Sequence, residues 1–261
     1  MLDIIRKPEY NHIEWVFFPE TQEGYMGVNP EKDALRKART KQKIIEAAFH
    51  VFAERTIDAV NLTDIAKAAG VAMTTVYAYY SSKEPLIMDI SGWAWDQYIK
   101  NYYSSFEWSG GTAAEMFERY MDGYIDLYRN HRDLLRFNQF FNVYVQREGV
   151  TTEKLRSFIV VVDALADRFH AVYAQALLDG TLRTDVPEQE IFSKTLHIMQ
   201  AAVTRYAVGL VYETDIDPEA ELIYLKDLFM EDFIRKAADG GTDRQKDHRS
   251  RGDESDHAPR H

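Results

Sequence analysis

Apolar residues recur at helical spacing over most of this 261-residue chain. Within residues 33–55, for example, Ile44, Ala48 and Phe52 follow one another at intervals of four, which indicates one buried helical face. Capping residues, glycines and prolines separate such segments. The helices expected outside residues 56–82 are 33–55, 83–106, 112–130, 132–147, 152–178, 187–212 and 218–238. The pattern therefore predicts an all-α fold.

The stretch from Thr63 to Ser82, TDIAKAAGVAMTTVYAYYSS, predicts two short helices joined by a tight turn. Thr63 is expected to cap the first helix through its hydroxyl, and Gly70 to supply the left-handed backbone that ends it. The second helix is expected from about Met73 to Tyr80. Two helices joined by a glycine-containing turn form a helix-turn-helix, whose second helix enters the major groove of DNA.

The outward face of this second helix supplies the candidate DNA contacts. Thr74 and Thr75 are expected to touch base edges or a thymine methyl group. Met73 and Tyr79 are expected to lie against sugar and phosphate, and Tyr77 to donate a hydrogen bond to a phosphate oxygen. The flanking candidates for phosphate contact are Thr63, Lys83, Arg39 and Lys43.

Residues 40–90 resemble the N-terminal domain of the TetR family of transcriptional repressors. The resemblance is carried by IIEAAFHVFAER and LTDIAKAAGVAMTTVYAYYSSKEPLI. It implies DNA-contacting roles for Thr74, Thr75, Tyr77, Tyr79 and Lys83.

The chain departs from the family pattern at three positions. Ala72 stands where a capping serine is common, Ala78 where a larger polar residue is frequent, and Tyr80 where phenylalanine is usual. The first two departures are expected to affect which operator is read more than whether DNA is bound. Tyr77 and Tyr80 also have a second interpretation, in which they pack the core of the domain.

The formal net charge of −11 is unusual for a DNA-binding protein, but most of the acidic excess lies after residue 100. The dense basic cluster comes just before the helix-turn-helix and comprises Arg36, Lys37, Arg39, Lys41 and Lys43. Such side chains can neutralise phosphates; the alternative is a solvated helix face.

The chain has no cysteine, and the sequence shows neither a signal peptide nor a membrane span, so a cytoplasmic location is expected.

Four segments are expected: an N-terminal extension (1–34), a helix-turn-helix DNA-binding domain (35–82), a helical ligand-binding and dimerisation domain (83–238) and a disordered tail (239–261). The extension either lies over the next domain or is disordered, and translation starts at Met1 or Met26. The helices over 187–212 and 218–238 carry more apolar residues than one packing face requires, which favours a homodimer. The alternative is that both helices pack only within one chain.

The helices after residue 83 are unusually aromatic, which suggests an apolar pocket for a small molecule. The candidate ligand-binding residues are Trp95, Tyr98, Tyr102, Phe117, Tyr120, Phe137, Phe140, Tyr144, Phe158 and His170. Further polar contacts are expected from His197, Arg205, Asn138 and Gln139. The competing interpretation is that these aromatic residues form an ordinary core.

Three functions follow from these patterns. The first is a homodimeric repressor that binds a palindromic double-stranded DNA operator and is released by an apolar or aromatic effector, with the helix over 83–106 as hinge. The second is a DNA-bound interaction protein of the same fold with no effector. The third is a helical enzyme or carrier, which the absence of catalytic and phosphate-loop motifs disfavours. No cofactor or metal is expected, because Asp163, Asp167 and His170 on one helix face are read as a salt-bridged surface.

Overall fold

The computed structural model describes residues 30–104, 110–212 and 215–235. Within these ranges it consists of nine α-helices and one isolated β-bridge, between Leu182 and Ile234. The helices are α1 (Pro30–Arg55), α2 (Leu62–Ala69), α3 (Met73–Tyr79), α4 (Lys83–Ser104), α5 (Ala113–Asn130), α6 (Arg132–Glu148), α7 (Arg156–Asp179), α8 (Glu188–Ala207) and α9 (Pro218–Phe233). The all-α prediction is confirmed.

The chain divides into two compact units, Met1–Lys41 and Gln42–His261, and α1 runs across the division. In the first unit Asp33 accepts a hydrogen bond from Arg36 at 2.7 Å and pairs with Lys37 at 3.1 Å. These are exposed ion pairs within one helix, which contribute little to stability. The predicted tail, and the N-terminal extension up to residue 29, lie outside the described residues.

Local caps explain where several helices begin and end. The Thr112 side chain accepts from the backbone N–H of Glu115 while Glu115 bonds back to the backbone of Thr112, so the predicted start of α5 is confirmed. Gly180 has a left-handed backbone (φ 68°) and ends α7, also as predicted. At α9, Asp217 caps the backbone N–H of Glu219 and Pro218 takes the first helical position.

Several helix boundaries differ from the predictions. Helix α7 begins at Arg156 rather than Thr152, because residues 152–155 form turns. Helix α8 ends at Ala207 rather than Tyr212, because the left-handed Gly209 (φ 75°) follows it. Helix α9 ends at Phe233 rather than Ala238, because Ile234 is extended and bridges to Leu182. The predicted end of α4, Phe106, lies outside the described residues.

The core of the second unit is continuous and rich in aromatic rings. Helices α2 and α3 pack on each other, and α5 packs against α6, α7, α8 and α9. Phe117 on α5, Phe169 on α7 and Phe233 on α9 are almost fully buried and meet edge to face at 6.0–6.3 Å. Lys226 on α9 adds a polar link, because its ammonium bonds to Asp122 and Glu118 on α5.

Candidate DNA-binding and ligand-binding sites

The turn between α2 and α3 is fixed by a cap at each end of α2. Asn61 precedes the helix and its Oδ1 accepts from the backbone N–H of Asp64 at 2.9 Å, while Asp64 bonds back to the N–H of Asn61. Gly70 takes the left-handed conformation (φ 61°) and its N–H bonds back into the helix. The prediction for Gly70 is confirmed, whereas Thr63 is not the cap: it lies exposed inside the first turn of α2.

Helix α3 has one buried and one exposed face. Val76 is fully buried and Tyr80 is 3% exposed, so both face the core as predicted. Tyr77 is 55% exposed, which rules out the interpretation that it packs the core. The other positions offered to DNA are exposed at Thr74 and half-buried at Met73, Thr75 and Tyr79. The helix thus presents a threonine and tyrosine surface outward.

The structure accounts for two of the departures from the family pattern. Ala72 precedes α3 and makes no side-chain capping bond, so that cap is indeed missing. The hydroxyl of Tyr80 donates to Oδ2 of Asp89 on α4 at 3.0 Å, a contact that phenylalanine cannot make. Burial, together with the carboxylate of Asp89, raises the pKa of Tyr80 well above its usual value. Tyr80 therefore joins the end of α3 to the helix that follows.

The predicted flanking cations differ in their exposure and in whether their charged groups already bond within the protein. Lys83 donates from its ammonium to the carbonyls of Ile57 and Val60 at 2.7 and 3.0 Å, so it holds the loop before α2 and keeps one of its three N–H donors for another partner. Lys43 is exposed, and its ammonium lies close to Gly70, 3.6 Å from where a Cβ would be. Arg39 is exposed on the first unit. Among the predicted cations of the second unit, Lys43 remains the better candidate for a phosphate contact.

A capped first helix, a left-handed glycine and a second helix with a buried inner and a polar outer face define the class of protein. Residues 62–79 thus form a helix-turn-helix, the type of motif whose second helix enters the major groove of DNA.

Comparison with known proteins gives the family. The family model described as "Bacterial regulatory proteins, tetR family" matches residues 44–90, which run from within α1 to within α4. The match to the tetR family of bacterial regulatory proteins thus concerns the DNA-binding part of the chain. The resemblance seen in the sequence is confirmed over these residues.

One relative by sequence is YvdT, an HTH-type transcriptional regulator of Bacillus subtilis (strain 168). It is 44% identical over 50 residues, which are 19% of this chain and 26% of that protein. The chain therefore matches only about a quarter of the length of this relative, and the match concerns the DNA-binding part.

Solved structures share the fold over a much longer stretch. FadR from Bacillus subtilis in complex with stearoyl-CoA has a TM-score of 0.59 at 18% identity, and the match covers 72% of this chain and 97% of FadR. A transcriptional regulator from Saccharomonospora viridis in complex with choline has a TM-score of 0.60 at 17% identity, covering 76% of this chain and 100% of that one. These likenesses establish the fold, an N-terminal helix-turn-helix followed by a helical domain.

Helices α4 to α8 surround a cavity of about 480 Å³. Its wall is formed mainly by aromatic and aliphatic side chains of α4, α5 and α7, with a polar portion from α6 and α8. The lining residues are Trp95, Tyr98, Tyr120, Gly123, Tyr124, Leu127, Asn138, Asn142, Phe158, Val161, Val162, Leu165, Leu196, His197, Gln200 and Ala201. A mostly apolar cavity of this size, with few polar groups, has the usual form of a small-molecule site.

The cavity brings together only part of the predicted ligand set. Trp95, Tyr98, Tyr120 and Phe158 line it, and so do the polar candidates Asn138 and His197. The other predicted residues, which lie away from this wall, are Tyr102, Phe117, Phe137, Phe140, Tyr144, His170, Arg205 and Gln139.

Of the predicted residues outside the wall, some pack in the core and others bond to neighbouring groups or are exposed. Phe117 and Phe137 are core residues at 0% and 1% exposure, and the hydroxyl of Tyr102 donates to the carbonyl of Arg119. His170 is exposed, with Nδ1 3.0 Å from a carboxylate oxygen of Glu188. Helical spacing identified aromatic residues facing inward, but it does not distinguish a cavity wall from a packed core.

Most hydroxyl groups of the wall are already bonded within the protein. Tyr98 donates to the carbonyl of Gly123 at 2.7 Å, and the hydroxyls of Tyr120 and Tyr124 lie 2.8 Å apart. Burial raises the pKa of Tyr120 to about 12, so its hydroxyl stays neutral. Trp95 donates from Nε1 to Oδ1 of Asn138 at 3.1 Å.

A second depression, of about 640 Å³, lies where α1, α4 and the α5–α6 turn meet, and shares Tyr98 with the cavity. Its wall is more polar and includes His50, Gln97, Asn101 and His131. His50 of α1 approaches Asp133 of α6 at 3.3 Å. This contact places the start of α6 against the DNA-binding helices.

A series of aromatic rings runs from the cavity wall to α1. Phe158 of the wall lies 5.3 Å from Phe141, which stacks on Phe137 at 6.0 Å. Phe137 in turn lies 5.6 Å from Phe49 and 6.5 Å from Phe52 on α1. These ring contacts form a continuous packed path between the cavity wall and α1.

An ion pair makes a second connection between α6 and the DNA-binding part. The guanidinium of Arg147 donates to both carboxylate oxygens of Asp58, in the loop before α2. These bonds hold the pKa of Asp58 below its usual value. Lys154 similarly pairs with Glu84 at the start of α4.

Sequence reasoning missed Arg147 and Asp58, because partners 89 positions apart leave no local signal. It also missed the wall residues Asn142 and Gln200, although amides at inward helical positions on α6 and α8 are a signal that was available. Within the described ranges, His, Asp and Glu form no group of three that could hold a metal ion. No helix in those ranges is long and apolar enough to cross a membrane.

Proposed function

We propose that this protein is a transcriptional repressor that binds a palindromic operator as a homodimer and is released by a small molecule bound in the α4–α8 cavity. Residues 35–82 form the DNA-binding domain in this proposal, and residues 83–238 the ligand-binding and dimerisation domain. The observation that carries it is α3, a helix with a buried inner face and an exposed threonine and tyrosine face, fixed by the capped α2 and Gly70.

DNA is read by α3 in the major groove. Thr74 and Thr75 contact base edges and thymine methyl groups, while Met73, Tyr77 and Tyr79 contact the backbone. The longest polar side chains on this face are tyrosines. Phosphate and methyl contacts therefore dominate the affinity.

Phosphates beside α3 are held by flanking groups. Thr63 lies exposed in the first turn of α2, where backbone N–H groups favour an anion. Lys43 adds a cation next to the α2–α3 turn, and the exposed Arg39 of the first unit is a separate candidate for a phosphate contact.

Dimerisation uses α8 and α9. One recognition helix reads only one half-site, and a two-fold dimer places two of them about 34–36 Å apart, in successive major grooves. Support comes from large apolar side chains that these helices expose: Ile198 on α8, and Ile223, Tyr224 and Leu228 on α9. Such residues are buried in a self-complementary interface between two copies.

Release follows if the ligand prefers one arrangement of α6 and α4 over another. The cavity wall includes residues of both helices. The aromatic series from Phe158 to Phe49 and the Arg147–Asp58 ion pair connect that wall to α1 and to the loop before α2. A small displacement of α6 thus changes the spacing of the two recognition helices in the dimer.

The alternative is a DNA-bound interaction protein with this fold and no effector. The cavity itself argues against it, because a protein without a ligand has no need of about 480 Å³ of apolar space. A thermal-shift screen separates the two, since a ligand that binds the folded state raises the melting temperature.

The test of DNA binding uses the full-length protein and a fluorescent duplex from upstream of its own gene. The expected result is salt-dependent binding, preferred over a scrambled duplex by at least about tenfold. Sedimentation should give two chains per duplex. A combined Thr74→Ala and Thr75→Ala variant should lose the preference while staying folded. Equal binding of both duplexes, or of wild type and variant, contradicts the proposal.

A further inference from the structure

Asn138 contributes to the cavity wall a donor group that bonds to no described residue. Asn138 is 6% exposed, lines the cavity, and uses Oδ1 to accept from Nε1 of Trp95 at 3.1 Å. Because an indole nitrogen only donates, this bond identifies which end of the amide is oxygen. Nδ2 makes no hydrogen bond within the described residues. A donor that is accessible from a mostly apolar cavity is stabilised by an acceptor, so this position favours an acceptor group on a ligand.

The cavity wall provides no counter-ion for a charged ligand. Among the described residues, no aspartate, glutamate, lysine or arginine lines it. His197 of α8 is the sole imidazole in that wall, and it is exposed to solvent. Transfer of an ionised group into an apolar site without a partner is strongly unfavourable. The cavity therefore disfavours carboxylates and quaternary ammonium groups alike.

The uncommitted polar side chains all lie on one side of the cavity. They are Asn138 and Asn142 on α6 and His197 on α8, whereas Gln200 on α8 already donates from Nε2 to Oγ1 of Thr204 at 3.2 Å. The opposite wall is apolar, because its tyrosine hydroxyls are bonded to each other or to the backbone. A ligand that matches this wall is apolar over most of its surface and carries its polar group at one edge.

We propose that the cavity takes a neutral, mostly apolar molecule with a carbonyl group, such as an ester or ketone, whose oxygen accepts from Nδ2 of Asn138. This inference rests on the ligand-responsive function proposed above and adds the chemical class of the ligand. A volume of about 480 Å³ accommodates a molecule of ordinary effector size.

The first test compares three probes that share one apolar chain and differ in charge. Methyl decanoate is neutral with a carbonyl, decanoate is an anion, and decyltrimethylammonium is a cation. Titration calorimetry on the full-length protein should show methyl decanoate binding at least about tenfold more tightly than either ion. Tighter binding of an ion, or no binding of the ester, overturns the proposal.

The second test changes only the donor. Asn138→Asp keeps a carboxylate oxygen to accept from Trp95 but removes the two N–H groups that face the cavity. The ester should then bind about tenfold more weakly and the ammonium probe more tightly than in wild type. The control is Gln146→Glu, which adds the same charge on an exposed part of α6 outside the cavity wall and should change nothing.

The outcomes separate this inference from the function on which it rests. If Asn138→Asp binds the ester as tightly as wild type, the assigned contact is wrong. Operator binding is measured on the same wild-type preparation without any probe. Loss of that binding refutes the repressor function itself, whereas intact operator binding with no preference for the ester refutes only the ligand class.

Discussion

The hydroxyl of Tyr80 offers a sharp test of how α3 is held in place. Tyr80→Phe removes this one group, which donates to Asp89 on α4 from a side chain that is only 3% exposed. A hydrogen bond to a charged group contributes about 1.5–3 kcal/mol, and a neutral one about 1 kcal/mol. Because the pair is only partly buried, we expect the free energy of unfolding to fall by about 1–2 kcal/mol. The melting temperature should fall by about 2–4 °C per kcal/mol.

Tyr77→Phe is the matched control, since it removes the same group three residues earlier on the same helix. Tyr77 is 55% exposed, and its hydroxyl makes no hydrogen bond within the described residues. Its loss should leave stability within about 0.5 kcal/mol of wild type. Operator binding should weaken instead, because a phosphate contact is lost.

Urea unfolding followed by circular dichroism measures both variants. Asp89→Ala and the double variant with Tyr80→Phe complete a mutant cycle, for which a coupling of at least about 0.5 kcal/mol is expected. Equal stability of Tyr80→Phe and wild type, or strict additivity in the cycle, would refute the role given to this hydrogen bond.

Three further changes probe the DNA-binding part. Thr75→Ala should reduce discrimination at one base pair by about 1 kcal/mol, measured with duplexes changed at single positions; unchanged discrimination contradicts the methyl contact. Lys43→Gln should lower the slope of log affinity against log salt by about 0.9, equally for specific and scrambled DNA, and an unchanged slope excludes a phosphate contact. Asn61→Ala should lower the free energy of unfolding by about 1 kcal/mol through loss of the α2 cap, whereas an unaltered urea midpoint would mean that the cap is unimportant.

The helices and the helix-turn-helix could be predicted from the sequence because their determinants are local. Apolar spacing located α1 and the inward face of α3, and Gly70 marked the turn through its left-handed backbone. The cap of α2 was assigned to Thr63 instead of Asn61, two residues earlier, since both residue types favour that position. Boundaries set by one side chain are thus less predictable than the elements themselves.

The composition of the cavity could be predicted only in part, because a cavity depends on how helices pack. Tyr120 and Phe117 are both inward on α5, yet one lines the cavity and the other is enclosed by Phe169 and Phe233. Likewise, the contact between Arg147 and Asp58 arises only once α6 lies beside the loop before α2. Such long-range relations leave no periodic trace in the chain.

The central claim is that the cavity controls the DNA-binding surface. The most direct measurement is operator affinity, by fluorescence anisotropy, at increasing concentrations of methyl decanoate, with occupancy of the cavity followed in parallel by calorimetry. The account predicts that the operator dissociation constant rises with occupancy to a plateau about 5- to 150-fold higher. A cavity that fills with the ester while the operator dissociation constant stays unchanged would contradict it.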